Sequence, residues 1–425
     1  MIKNNLRNLS YIWFSSVTSV ATAFLSQSIL ARVLSVTDFG YFSSYMGLIN
    51  LLVPTAGLGL TSYWLKSYGK NKAISKELIA ASLSIVLISY VITCFLVILT
   101  STYHAFDNIL FFGVLSLIII SRLISDMFST ILQVKGRFFK FAIAQSALPV
   151  IRLVLLLLVI YVLRLESLNA IAVIWSISSV ILLLIFYKTL RDEFPNPLYI
   201  IQRLTVSFSD GYTKSVLSKS FIFGLTGLLY LGWSQGHIVF AKFYFGDYGA
   251  GMYSSVIIIG MAISMFPNVV FSKLLAPKYH EFIYSNPFQL KKLFWLANLA
   301  LFTLGIIAMV IVYSISEFIV GIAFGDKYLE AASILKIISM TFPMRFCGFN
   351  SGLILTTRNF QPVKFRLLII AVVLNIILAV LLSNLHGIEG LAFSIVVTEF
   401  LLVLGYTIIA NIRLNQLCTP TKSMH

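Results

Sequence analysis

The sequence predicts an all-α polytopic membrane protein with twelve transmembrane helices in two six-helix bundles, related by a parallel repeat and with both termini cytoplasmic. Three observations predict it. Of the 425 residues, 59% are hydrophobic and only 11% charged, whereas a soluble domain carries about 25% charged residues. Apolar runs long enough to cross ~30 Å of hydrocarbon recur from one end of the chain to the other. Lysine and arginine concentrate in alternate loops between those runs.

The first run, residues 9–34, follows Lys3 and Arg7. It is too long for the apolar core of a signal peptide and lacks a small-residue cleavage site, so it reads as an uncleaved first span. Runs at 41–65, 77–101, 109–134, 141–163 and 170–187 complete a first set of six. A second set lies at 220–241, 252–272, 293–316, 329–355, 367–385 and 391–410. The expected organisation is an N-terminal bundle over 1–190, a cytoplasmic linker over 191–219 and a C-terminal bundle over 220–425. The longest polar stretch, Tyr187 to Ser220, still contains Tyr199, Ile200, Ile201 and Leu204, so it leaves no room for an appended catalytic or nucleic-acid module.

A net charge of +16 would point to nucleic acid in a soluble protein. Here its distribution explains it. One set of loops holds Lys3 and Arg7, Lys66 to Lys76, Lys135 to Lys140, Lys188 to Lys219, Lys273 to Lys292, Arg358 to Arg366, and Arg413 with Lys422. The other holds only Arg32, Arg164, Lys242 and Lys327, among acids such as Asp38, Asp247, Glu317 and Glu389. Translocating positive charge is disfavoured, so the basic side is cytoplasmic. Cys94, Cys347 and Cys418 are widely separated and the histidines are scattered, which gives neither a disulfide framework nor a metal site. No phosphate loop, paired-carboxylate or Ser-His-Asp arrangement appears, so the chain reads as a gradient-driven carrier with no cofactor and no enzymatic activity.

Two sets of six spans with one orientation suggest duplication, a plan that places a substrate site between the halves. Ala31-Arg32 precede Gly40-Tyr41-Phe42-Ser43-Ser44, and Ala241-Lys242 precede Gly251-Met252-Tyr253-Ser254-Ser255, with Asp38 or Asp247 in the intervening segment. Likewise Arg122 and Arg345 each stand thirteen residues before a cytoplasmic base, Lys135 and Arg358. Thirteen residues of helix span ~20 Å, which puts both near the bilayer midplane.

Arg152, Lys336, Asp126 and Glu399 also fall inside apolar runs. A charge at mid-membrane costs about 2.5–3.5 kcal/mol even on the lenient scale, so such residues face a protein interior or a watery cavity. Arg122, Arg345, Arg152 and Lys336 are therefore candidate ligands for an anionic substrate. Arg32 and Lys242, at matched outer helix ends, are also candidate ligands and read equally as helix anchors. Asp126 and Glu399 are candidates for ion coupling, although Arg122 and Asp126 at i, i+4 also read as an intrahelical ion pair and Glu399 reads equally as the partner of a cavity arginine. Lys336 can reach the outer interface by snorkelling, and His237 reads as a packing residue.

Ile29-Leu30-Ala31-Arg32-Val33-Leu34, then Asp38-Phe39-Gly40-Tyr41-Phe42 and Gly57-Leu58-Gly59-Leu60, resemble the opening of bacterial O-antigen and polysaccharide flippases. Phe324-Gly325-Asp326-Lys327-Tyr328-Leu329-Glu330-Ala331-Ala332 is similar to the loop before the tenth span of that family. The resemblance implies the multidrug/oligosaccharidyl-lipid/polysaccharide exporter superfamily and a MATE-like fold enclosing a central cavity. It implies alternating access that moves undecaprenyl-diphosphate-linked oligosaccharides from the cytoplasmic to the periplasmic leaflet of the bacterial inner membrane, for O-antigen or surface polysaccharide. Implied partners are the lipid-linked substrate, membrane lipids, a coupling proton or sodium ion, a polysaccharide polymerase and a chain-length regulator, with no nucleic acid. The alternatives are a multidrug cation antiporter of the same fold, against which the excess of interior bases argues, and a membrane glycan polymerase or ligase. The latter generally needs a larger outer loop than Glu317 to Tyr328 provides.

Overall fold

A computed structural model describes residues 2–71, 75–101, 109–193, 211–357 and 360–418. Within them the regular structure is helical, with fourteen α-helices and no strand. Residues 194–210 of the expected linker, with Lys72, Arg203, Arg358 and Lys422 from the charge pattern, lie outside the described residues. Chain contacts define two compact units, Met1–Gly251 and Met252–His425.

The first unit holds α1 (Ile2–Val33), α2 (Val36–Gly57), α3 (Leu60–Asn71), α4 (Lys76–Ser101), α5 (Ile109–Val134), α6 (Phe138–Leu157), α7 (Leu168–Glu193) and the first part of α8 (Gly211–Val269). Helix α1 packs along α6, and α5 packs against α7, α2 and α6. Ser35 starts α2 by accepting from the backbone N–H of Asp38 at 3.0 Å, and the Asp38 carboxylate in the first turn complements the helix dipole. The expected run 41–65 is not one rod: α2 and α3 meet at a 46° bend. Leu58 and Gly59 both have positive φ there, and a Cβ at Gly59 would lie 2.2 Å from the backbone N of Gly224. The bend thus needs glycine both for its conformation and for the close approach of α8.

The second unit holds the rest of α8, α9 (Ala276–Ser285), α10 (Pro287–Ser314), α11 (Ser316–Phe324), α12 (Ala331–Ser339), α13 (Phe342–Ile354) and α14 (Gln361–Cys418). Helix α10 crosses α13 closely, with Gly305 against Pro343. The expected run 329–355 is split into α12 and α13. Pro343 sits at the first turn of α13, where its missing N–H costs nothing, whereas within a continuous helix it would remove a bond and clash with the preceding turn.

At 59 and 58 residues, α8 and α14 would measure ~90 Å if straight, about three times the hydrocarbon thickness. Each breaks at a glycine with positive φ, Gly246 and Gly387. Those breaks fall between expected apolar runs. Among the described residues, eight helices are long and apolar enough to cross a membrane, and the α2–α3 pair makes nine.

The outer surface is oily: Phe14, Leu184, Leu296, Leu299, Ile370 and Leu385 are exposed, while Ser82, Ser84, Ser178, Asn375 and Thr398 are buried. Such an apolar exterior matches a lipid solvent. Several of the buried hydroxyls find acceptors on their own helices, as when Ser84 donates to the carbonyl of Ala80 and Thr398 to that of Ser394. No backbone partner has to be given up to accommodate them.

Candidate functional site

In the first unit, Arg122 lies mid-way along α5, and its Nε is 3.6 Å from Asp126 Oδ1 one turn later. Both side chains are about half exposed, at 54% and 47%. This is the intrahelical pair that the i, i+4 spacing allows, and its long, open geometry leaves both groups reachable. Arg152 on α6 is held differently. Its Nε donates to Ser178 Oγ at 3.3 Å, and its guanidinium lies 5.7 Å from the ring centre of Trp175. Ser178 is fixed in turn by donating to the carbonyl of Trp175. Arg152 Nη2 is buried without a hydrogen-bond partner, and no carboxylate pairs with Arg152 among the described residues.

In the second unit, Arg345 stands in the first turn of α13, where the dipole disfavours a cation. Its charge is met from another helix: Nη2 donates to Glu399 Oε2 on α14 at 3.3 Å, with side chains only 21% and 9% exposed. The guanidinium lies over α8 beside Gly260. On α14, Asn375 donates to Thr398 Oγ1 at 2.9 Å, one residue before Glu399.

The remaining cations lie at helix ends. Lys242 is buried at the end of the first segment of α8, 2.5 Å from Asp247 Oδ1. Its ammonium stands 4.6 Å over the ring of Tyr41 and 5.7 Å from that of Tyr45, and the Tyr41 hydroxyl donates to that of Tyr45. Arg32 is exposed in the last turn of α1. Lys336 on α12 pairs with Glu317 at 3.2 Å on an exposed face. His237 is buried with its ring edge toward Trp233.

The structure therefore brings together Arg122 with Asp126, Arg345 with Glu399, Lys242 with Asp247 and Lys336 with Glu317. In the first unit Asp126 pairs with Arg122, while Arg152 rests on Ser178 and Trp175. Arg345 in the second unit is matched one to one.

A family model described as polysaccharide biosynthesis protein matches residues 5–283, more than half of the chain. The chain belongs to the polysaccharide biosynthesis protein family. This family member is 23% identical over 410 residues to an uncharacterized membrane protein of Methanocaldococcus jannaschii, covering 92% of this chain and 94% of that protein. Its fold is similar to the inward-facing conformation of a multidrug resistance MATE family transporter of the MOP superfamily, with a TM-score of 0.70 and 15% identity over 95% of each chain. It is equally similar to the lipid II flippase MurJ in an inward closed conformation, with a TM-score of 0.70 and 15% identity over 98% of this chain and 90% of that one. These likenesses establish the fold, and the long apolar helices among the described residues give a multi-pass membrane protein.

Several contacts of the site escape a reading by spacing. Glu317 and Glu399 reach their partners from 19 and 54 residues away. Trp175 and Ser178 carry no charge to mark them. Asp247 was visible as a nearby acid, but the caging tyrosines Tyr41 and Tyr45 belong to a different helix.

Proposed function

We propose that this protein is a flippase that moves undecaprenyl-diphosphate-linked oligosaccharides across the bacterial inner membrane by alternating access. One observation carries the reading: within apolar helices of the first unit, two arginines, Arg122 and Arg152, are matched by one acid. A surplus guanidinium inside a membrane protein calls for an anion, and planar guanidinium forks suit phosphate oxygens. Membership in the polysaccharide biosynthesis family supports a glycan-linked substrate over a drug cation.

In this reading the chain has twelve spans in two bundles, 1–190 and 220–425, with both termini cytoplasmic. Arg122, Arg152 and Arg345 line the substrate path, and the polyprenyl tail stays in lipid. Asp126 and Glu399, each against an arginine, are placed to exchange a proton or sodium ion as that arginine turns to substrate. Lys242, Arg32 and Lys336 hold helix ends. A polysaccharide polymerase and a chain-length regulator would receive the flipped unit, and the chain itself makes or breaks no covalent bond.

The test is complementation of a bacterial strain lacking its own polysaccharide flippase, at matched expression. Wild type should restore surface glycan, Arg122→Ala and Arg345→Ala should lose it, and the lysine variants should keep part of it. Wild-type failure with every related glycan, alongside export of cationic drugs, would overturn the proposal.

A further inference from the structure

We propose that the face of the second unit where α10 meets the last stretch of α14 is a docking site for an anionic phospholipid of the cytoplasmic leaflet. The site is independent of what the protein transports and uses only the orientation given above. Helix α10 has 28 residues and no acid, and its only charges, Lys291 and Lys292, stand together near its first end. Trp295 follows one turn later. Leu299, Phe302 and Ile306 continue the same face, since residues four, seven and eleven further along return to one side of a helix. All four of these side chains are exposed, Trp295 at 47% and Leu299 at 66%.

Two bases, then an indole, then an apolar strip is the order of a phospholipid's own parts: charged head, ester level and acyl chain. The length agrees as well. From Trp295 to Ile306 the face runs ~16 Å along the helix axis, close to the ~15 Å that one leaflet contributes to the hydrocarbon core. Tryptophan favours the interface between the two regions. Here the ring is fixed there, because Nε1 donates to Asn411 Oδ1 on α14 at 3.3 Å. That bond leaves the Asn411 amide N–H groups without a protein acceptor among the described residues, at the depth where an ester carbonyl lies. Ile408 and Ile412 are exposed on either side of Asn411 along α14. Neither lysine pairs with an acid among the described residues.

An anionic head supplies the counter-charge that a zwitterionic one lacks. A second copy of the chain suits this face poorly. A two-fold axis along the membrane normal would set Lys291 and Lys292 against their own counterparts, with no acid on α10 between them.

The experiment places the full-length protein in phosphatidylcholine vesicles that contain a minor fraction of lipid brominated on its acyl chains, either phosphatidylglycerol or phosphatidylcholine. Tryptophan quenching is followed, and the difference between wild type and Trp295→Phe isolates Trp295. Two lysines near the surface favour an anionic head by about tenfold or more, so brominated phosphatidylglycerol should quench Trp295 at a mole fraction about tenfold below that of brominated phosphatidylcholine. Lys291→Gln combined with Lys292→Gln should abolish that preference, and the corresponding double arginine variant should keep it. Arg413→Gln should also keep it, because Arg413 already engages Gln416 and the ring of Phe360. Native mass spectrometry gives a reading that does not need Trp295→Phe to fold: wild type should retain phosphatidylglycerol, and the double glutamine variant should lose it. Equal quenching by the two lipids overturns the proposal, as does a preference unchanged in the double glutamine variant. Trp295 shielded from both lipids in a chain that purifies as a dimer assigns the face to a second copy. Displacement of the quenching lipid by a smaller amount of unbrominated polyprenyl-diphosphate oligosaccharide assigns it to a transported lipid. Either of these outcomes also overturns the phospholipid site, whereas a lipid-linked glycan that is not moved overturns the flippase reading and leaves the site standing.

Discussion

Gly40 and Gly251 each lie beneath the backbone that precedes the other: a Cβ at Gly40 would be 1.8 Å from the carbonyl oxygen of Asp247, and one at Gly251 would be 2.3 Å from that of Val36. Val36 and Asp247 each stand four residues before their own glycine, so the contact is reciprocal, as when a surface meets its own copy about a two-fold axis. Both glycines open the Gly-x-x-Ser-Ser motif that first suggested duplication. Within the first unit Val36 and Gly40 thus pack against Asp247 and Gly251, and the caged Lys242 is held by the same Asp247.

Gly40→Ala and Gly251→Ala should each destabilise the protein, because the obstructing atoms are backbone and cannot rotate away. Overpacking of this kind costs about 1–3 kcal/mol. Since both glycines serve one contact, the double variant should cost clearly less than the sum. Thermal unfolding of the detergent-purified protein checks both statements, and strict additivity would show the two contacts to be independent.

Arg345 and Glu399 form a half-buried to buried pair, so removing one partner strands the other. Glu399→Gln or Arg345→Met alone should cost up to about 3–5 kcal/mol, whereas Arg345→Met with Glu399→Leu should recover most of that stability. A double-mutant cycle on thermal unfolding reads the coupling. The recovered double variant should still fail in transport if the charges act on substrate or coupling ion.

Two lysine pairs offer a contrast. Lys336 and Glu317 are exposed, and Lys336→Ala should change stability by about 0.5 kcal/mol or less. Lys242 is buried between Asp247 and two tyrosine rings. Asp247→Asn should therefore cost about 2 kcal/mol or more, as a buried ammonium loses its counter-charge. Parallel melts of the two variants decide it; equal effects would contradict the burial difference.

The helices were legible because a span must be a long apolar run, and Gly246 and Gly387 lie where one run ends and the next begins. The break between α12 and α13 was harder to see, since Ile337, Ile338 and Phe342 keep the stretch apolar across it and only Pro343 betrays it. Arg122 and Asp126 disclosed their pairing through spacing, because one helix fixes the distance. Arg345 and Glu399, on different helices, could not: their meeting depends on how α13 and α14 rotate about their axes, which no local spacing encodes. Arg152 is the intermediate case, in which the lack of an acid one turn away was visible but Trp175 as its resting place was not.

The most direct test of the account is transport itself: purified protein in proteoliposomes carrying a labelled undecaprenyl-diphosphate oligosaccharide, with flipping followed by enzymatic accessibility of the glycan. Wild type should equilibrate the lipid across the bilayer, and Arg122→Ala and Arg152→Gln should slow it at least tenfold at equal reconstitution. Rates in both variants equal to wild type would contradict a cationic path through the first unit, and no flipping by the wild type would contradict the flippase reading as a whole.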